Sequence, residues 1–301
     1  MRKFTVLWIC VAVVALWCSV RGVAADRRYE HLQRRLDEFV SGKDARIGIG
    51  LIIDGCDTVA VNGRRDFPML SVYKFPQALA VADFCLRNGK TFSDSVCVNR
   101  DEMKPDTYSP MRDRYGAVDM SLPIDELLRY SVQQSDNNAC DILFRMIGGP
   151  AVADSLMKEL GYGNIVIEST EDEMHADIYL CYLNRSTPVE MAMLLDRFYT
   201  EMRHAAPEYM SIAEMMETCE TGIDRIVAGL PPGAAAGHKT GTGDRNSQGR
   251  LIGINDCGYV RLADGRRYSL AVFVSDSAYS MDETAAIIAE VSRIIAGELT
   301  E

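Results

Sequence analysis

Apolar positions recur at helical spacing near both ends of this chain and alternate at strand spacing just inside them. Tyr29, Leu32, Leu36 and Phe39, with Arg and Glu between them, predict a first helix over Arg27 to Val40. Arg46 to Asp54 and Thr58 to Asn62 predict a hairpin of two strands turned through Asp54-Gly55-Cys56-Asp57. Towards the other end, Arg250 to Asn255, Gly258 to Leu262 and Ser269 to Ser275 predict three more strands, broken at Asp256-Cys257-Gly258 and at Asp264-Gly265. Ala285, Ile288, Val291, Ile294 and Ile295 share one face of Met281 to Leu299, a helix expected to lie on that sheet. From Lys74 to about Met215 the period is mostly helical: Phe75 to Asn88, Ile124 to Gln134, Asn138 to Met146, Ala151 to Leu160 and Pro188 to Tyr199. The fold class is therefore α/β (α+β): a five-stranded sheet split across the sequence, flanked by the terminal helices, with a helical unit inserted. Residues 26–64 and 216–301 form the α/β part and 65–215 the helical part.

The N-terminus changes the picture of what the mature chain is. Met1-Arg2-Lys3, an apolar run from Phe4 to Val20 and then Arg21-Gly22-Val23-Ala24-Ala25 follow the order of a secretory signal, with cleavage expected after Ala25. The run is long for a signal and Arg21 falls inside the cleavage region, so an uncleaved anchor is the alternative. The expected destination is the periplasm, with no stable membrane association after cleavage. Loss of Arg2, Lys3 and Arg21 takes the formal charge from −11 to −14, which argues against a nucleic-acid partner. About 276 residues remain, 26–301, enough for a large core. Seven of the nine cysteines remain too, an odd number, so at least one is expected unpaired. No C-x-x-C occurs and no cysteine stands at ligand spacing from a histidine, so neither a metal nor another cofactor is expected.

Candidate chemistry centres on Ser71-Val72-Tyr73-Lys74. A serine needs a group to take its proton, and a lysine one helical turn along the same face is such a group. The pattern alone is weak: about one match per chain of this length is expected by composition, and Ser155-Leu156-Met157-Lys158 is a second, expected to be structural. Ser135-Asp136-Asn137 and Lys239-Thr240-Gly241, in that order, raise Ser71 above its control. S-x-x-K, S-D-N and K-T-G together are the signature of class A β-lactamases and penicillin-binding proteins. Over its mature length the chain resembles a class A serine β-lactamase, and the split sheet, inserted helices and terminal helices match as well.

That resemblance implies the roles. The backbone N–H groups of Ser71 and Thr242 would form the oxyanion hole, worth a few kcal/mol. Ser135, with Lys239 and Lys74 nearby, would protonate the leaving nitrogen. Asn137 would bind the substrate's side-chain amide, while Thr240 and Thr242 would bind its carboxylate beside Lys239. Asp136 is expected to be a buttress. A general base for deacylation is required as well. The family places it in an E-x-x-L-N loop 30 to 40 residues after S-D-N, where this chain has Glu171-Asp172-Glu173-Met174-His175. The E-x-x-M-H variant resembles a cephalosporinase sub-branch found in some anaerobic gut bacteria. Glu171 is the expected base, with His175 helping to hold the water, and Glu168 and Glu173 are its competitors. The family's Arg across the neck of this loop is absent, with Ser169 or Thr170 in its place. Tyr108, in Tyr108-Ser109-Pro110, is expected at the mouth of the site, or else in a surface turn. Arg225 is expected to be a second cation for the carboxylate, or else a surface arginine. His238 is read as packing.

The implied reaction is hydrolysis of cephalosporins and penicillins by a monomer, through an acyl-enzyme on Ser71 with Lys74 or water-linked Glu171 as acylation base. A D,D-peptidase is the alternative within the fold, and a β-lactam sensor is the alternative from another class.

Overall fold

The computed structural model describes residues 29–300, so the expected signal over residues 1–25 lies outside the described residues. Five strands form one antiparallel sheet in the order β2-β1-β9-β8-β7: β1 Arg46–Ile53, β2 Asp57–Val61, β7 Ala235–Thr242, β8 Leu251–Arg261 and β9 Arg267–Ser277. Two short pairs, β3 Phe67–Pro68 with β6 Arg185–Ser186 and β4 Ser95–Val98 with β5 Met120–Pro123, tie loops of the helical part.

The alternation in β1 explains both layers. Ile47, Ile49, Leu51 and Ile53 point into a core shared with Leu32 and Leu36 of the helix Glu30–Ser41 and with Ile288, Val291 and Ile295 of the helix Met281–Thr300. On the opposite face stand Gly48 and Gly50, and a β-carbon at Gly50 would lie 2.2 Å from the Pro188 carbonyl oxygen. Absence of side chains there lets the helix Pro188–Arg197 press onto the sheet. Behind it a second apolar core, built on Phe75, Leu79, Leu127, Leu143, Phe144 and Met157, joins the helices Lys74–Arg87, Ile124–Gln133, Asn137–Ile147 and Pro150–Glu159.

Two differences from the sequence pattern matter for the site. Arg250 to Asn255 and Gly258 to Leu262 are one strand, β8, running straight through Asp256-Cys257-Gly258. Asp256 is tolerated there because its buried carboxylate accepts from the Ile226 N–H at 3.0 Å, and Gly258 is needed because a β-carbon would lie 2.6 Å from the Gly237 carbonyl oxygen. The fifth strand is instead β7, the edge strand that carries Lys239-Thr240-Gly241. The helix Pro207–Glu217, which the pattern did not single out, packs beside β7.

Candidate active site

Ser71 sits in a short 3-10 turn, Leu70–Tyr73, that runs directly into the helix starting at Lys74. The sheet holds that turn in place. The Asn255 amide donates to the Pro68 and Met69 carbonyls at 2.9 and 3.1 Å, and Leu70 is fixed at φ 50°, a left-handed conformation costing ~1–2 kcal/mol for a residue with a β-carbon. Gly241 permits the close approach: a β-carbon there would lie 2.6 Å from the Met69 oxygen and 3.2 Å from the Ser71 nitrogen. Just past the end of β7 the Gly243 N–H donates to the Gly253 carbonyl of β8 at 2.9 Å, so alternation turns the Thr242 N–H to the open edge, towards the Ser71 turn.

Lys74 is fully buried. Its ammonium donates to the Ser135 carbonyl at 2.8 Å and to Asn137 Oδ1 at 2.7 Å, and lies 3.0 Å from Glu171 Oε1. Burial works against its charge, but the Glu171 carboxylate wins and the pKa is raised above the ordinary lysine value. Ser135 is held at φ 62°. The helix after it is capped by buried Asp136, which accepts from the N–H groups of Ala139 at 2.8 Å and Met111 at 2.7 Å and from Ser109 Oγ at 2.9 Å. Asp136 thus braces the Ser135-Asn137 turn and does not face the cleft.

Glu171 opens the helix Glu171–Ala176. Thr170 caps it, and Glu173 folds back onto Thr170, accepting from its N–H at 2.9 Å in a capping box. Glu168 points outward with its side chain half exposed, 3.8 Å from Arg185. Of the three glutamates in this loop, only Glu171 reaches Lys74. His175, one turn later, is exposed on the cleft wall. The loop's neck is closed by a backbone bridge between Val166 and Arg185 and by buried Asn184, which accepts from the N–H groups of Glu168 and Ser169 at 2.8 and 2.9 Å and donates to the Ser169 carbonyl at 2.8 Å. Asp141 accepts from the N–H groups of Glu171 and Asp172, both at 2.8 Å, and burial pushes its carboxyl up to about 7.

Across the cleft, fully buried Lys239 donates to Ser135 Oγ at 3.0 Å and to the Thr240 carbonyl at 2.9 Å. Burial, with the Lys74 and Arg225 charges nearby, pulls its pKa down to about 7. Arg225 is no surface residue: it is buried, donating to the Gly241 and Asn255 carbonyls at 3.0 and 2.8 Å and to Thr242 Oγ1 at 2.6 Å. Thr240 Oγ1 meets Thr221 Oγ1 at 2.6 Å. Tyr108, 58 % exposed, stands at the mouth, and its carbonyl accepts from the Asn137 N–H at 3.0 Å. The resulting cleft of about 540 Å³ is lined by Ser71, Tyr108, Ser135, Asn137, Glu171, His175, Thr240 and Thr242, and the buried cations Lys74, Lys239 and Arg225 lie behind that lining, bonded to Asn137, Ser135 and Thr242.

The control behaves as a control. Ser155 lies on the exposed face of its helix, and Lys158 pairs with Asp154. The sequence reading missed Thr107, whose Oγ1 accepts from Asn137 Nδ2 at 2.8 Å, and also Thr221, Asp141 and Asn184. Asp141 alone had a signal, standing one turn after Asn137 on a helix face. His238 does more than pack: buried beside β8, its Nδ1 is 2.9 Å from Asp256 Oδ1.

A family model described as the beta-lactamase enzyme family matches residues 31–299. A β-lactamase of Bacteroides uniformis is 35% identical over 286 residues, covering 95% of this chain and 97% of that one. Among solved structures, the TLA-1 extended-spectrum β-lactamase superposes with a TM-score of 0.88 at 34% identity, covering 90% of this chain and 99% of its own. A representative class A β-lactamase from Bacteroides cellulosilyticus DSM 14838 gives 0.86 at 33% identity, covering 90% and 98%.

Proposed function

The chain belongs to the β-lactamase enzyme family and is a class A serine β-lactamase, and on that premise we propose that it hydrolyses cephalosporins and penicillins through an acyl-enzyme on Ser71 that Glu171 deacylates. The observation that carries this reading is the Glu171 carboxylate, 3.0 Å from the Lys74 ammonium beside Ser71, while Glu173 is occupied in its cap. The positive charge that Glu171 stabilises on Lys74 makes the lysine a poor proton acceptor at rest. Glu171, acting through a water, is then the acylation base as well. Ser71 Oγ attacks the lactam carbonyl, and its proton passes to Glu171 through that water. The N–H groups of Ser71 and Thr242 receive the developing oxyanion. As the C–N bond breaks, Ser135 Oγ protonates the leaving nitrogen and is resupplied by Lys239, 3.0 Å away. In the second half Glu171 takes a proton from water, whose oxygen attacks the ester and releases Ser71, with His175 on the same helix face helping to place that water.

The substrate carboxylate falls to Lys239, Thr240 and Thr242, with the buried Arg225 guanidinium behind Thr242 adding positive potential. Asn137, oriented by Lys74 and Thr107, takes the side-chain amide, and Tyr108 walls the mouth. Cephalosporins as the preferred class rest on the E-x-x-M-H resemblance, and the likeness to TLA-1, described as an extended-spectrum β-lactamase, accords with a broad substrate range. Secretion to the periplasm rests on the signal-like order of residues 1–25, and a monomer on the fact that one chain supplies every group named. The division into 26–64 with 216–301 and 65–215 rests on the terminal helices sharing one core with the outer face of the sheet, while the inserted helices share the other with Ile52, Ala271 and Phe273 of its inner face.

Time-resolved intact-mass spectrometry on the chain from residue 26, mixed with excess cephalosporin, tests the reading. An adduct that forms and vanishes while drug is consumed many times over is the expected result. One persistent adduct per chain would make this a penicillin-binding or sensor protein and remove Glu171 as the base.

A further inference from the structure

All seven described cysteines are free thiols, and one differs from the rest in its surroundings. Cys85, Cys140, Cys181 and Cys257 are buried, and burial raises their pKa values. Cys56 and Cys97 are exposed in the β1–β2 turn and on β4; Arg145 donates to the Cys97 carbonyl, not to its thiol. Cys219, just past the helix Pro207–Glu217, is half-buried and faces a separate cavity of about 900 Å³ at the foot of β7. His238, Arg203, Arg261 and Tyr259 line the same cavity.

We propose that Cys219 is a second reactive site, a thiol activated by His238 and Asp256 that forms a mixed disulfide with a small anionic disulfide and slows turnover when so modified. Three groups stand in series. Asp256, held by the Ile226 N–H, meets His238 Nδ1 at 2.9 Å, and His238 lines the same cavity as Cys219, whose Sγ lies 3.7 Å from the Gln133 carbonyl and 3.6 Å from the Thr221 carbonyl. A carboxylate that orients an imidazole against a nucleophile is the arrangement that activates cysteines elsewhere. Burial disfavours the imidazolium, but Asp256 outweighs it and raises His238 to about 10. Burial would also raise Cys219, but His238 and then Lys239 outweigh it and bring the thiol down to about 7. Other charges facing this thiol are Arg225 from the covering segment and, across the cavity, Glu217 and Arg203, which pair at 3.4 Å.

The step balances as thiol–disulfide exchange. The Cys219 thiolate attacks one sulfur of the small disulfide, a new S–S bond forms, the old one breaks, and the departing thiolate leaves with the electron pair and takes up a proton. Cys219 is oxidised and half of the reagent is reduced. Arg203, whose Nε has no hydrogen-bond partner, and Arg261 favour a half bearing carboxylates. Coupling to the main cleft is short: Cys219 Sγ lies 3.4 Å from Thr221 Oγ1, which lies 2.6 Å from Thr240 Oγ1. A group added to Sγ displaces Thr221 and frees Thr240 from its partner. This effect on turnover rests on the function proposed above, whereas labelling does not.

The test uses glutathione disulfide as probe, with peptide mapping for the site and a chromogenic cephalosporin for activity. Cys219 should be labelled first, with a half-maximal rate near pH 7. At that pH it should react ~3-fold faster than an ordinary exposed thiol, its larger thiolate fraction being partly offset by lower nucleophilicity. Turnover should fall as the label enters and return with dithiothreitol. Cys219→Ser should keep basal turnover and become insensitive, and His238→Asn should move the labelling midpoint up towards 8.5. Labelling confined to Cys56 or Cys97, or an unchanged midpoint in His238→Asn, overturns the reactive site. Full labelling of Cys219 with unchanged turnover, in a preparation that hydrolyses the drug, overturns the coupling.

Discussion

Replacing Glu171 by Gln changes one charge and almost nothing else. The amide keeps the volume of the carboxylate, and Asp141 still accepts from the residue 171 and 172 N–H groups, because those bonds are made by backbone. Lost are the proton acceptor and the negative charge 3.0 Å from Lys74. A positioned general base contributes ~10²- to 10⁴-fold, or ~3–5 kcal/mol of barrier, so deacylation should slow by that factor. Acylation should suffer less: without Glu171 the burial of Lys74 is no longer offset, its pKa falls, and the neutral amine can take the Ser71 proton. Rapid mixing with a chromogenic cephalosporin should therefore show a burst of about one equivalent followed by a steady state reduced ~10²-fold or more, with the adduct visible by intact mass. Glu173→Gln is the matched control, expected to cost only about 1 kcal/mol of helix capping and to turn over within a few-fold of the parent. Steady-state turnover within 10-fold of the parent for Glu171→Gln, or a burst in Glu173→Gln instead, would refute the assignment of the base.

Other expectations follow from the same geometry. Ser71→Ala should abolish adduct formation and turnover, and Ser155→Ala should leave kcat/KM unchanged; the opposite pair of results would move the nucleophile to the other S-x-x-K. Arg225→Ala strands the Gly241 and Asn255 carbonyls, each losing a donor worth ~1–3 kcal/mol when buried, so thermal unfolding should shift down and KM should rise more than kcat falls. Lys239 titrates at about 7 when folded and about 10.4 when unfolded, so between those values the unfolded chain binds more protons and this group's contribution to stability increases with pH. Chemical denaturation of the parent against Lys239→Met should show the parent gaining relative stability from pH 7 to 10. Over the same range kcat/KM should decline from about pH 7 as the free enzyme loses the ammonium that meets the substrate carboxylate.

Part of this protein is written locally and was legible as such. The Ile-Gly alternation of β1, the helical faces at both termini and the S-x-x-K spacing all concern residues within one or two turns or pleats of each other, where chain geometry alone fixes which side chains meet. The three triplets identified the site's chemistry for the same reason, since each is contiguous. Strand β8 misled because a polar Asp and a Gly in mid-strand read as a turn. Only the packing of Ile226 against Asp256, and the approach of Gly237 to Gly258, make them strand residues. Sequence spacing put Glu171 forward as the base with Glu168 and Glu173 as competitors; what favours Glu171 further, the Thr170 cap that occupies Glu173 and the approach of Lys74 from 97 residues upstream, is tertiary. Asn184, Thr221, buried Arg225 and the Cys219-His238-Asp256 series have no local signature, because each acts through a partner that reaches it only when long loops close. Sequence by itself located most of the elements and the proposed nucleophile, because those are set by neighbours along the chain; tertiary structure decides which charges are buried together, and on that burial the proposed roles of Glu171, Lys74, Lys239 and Cys219 rest.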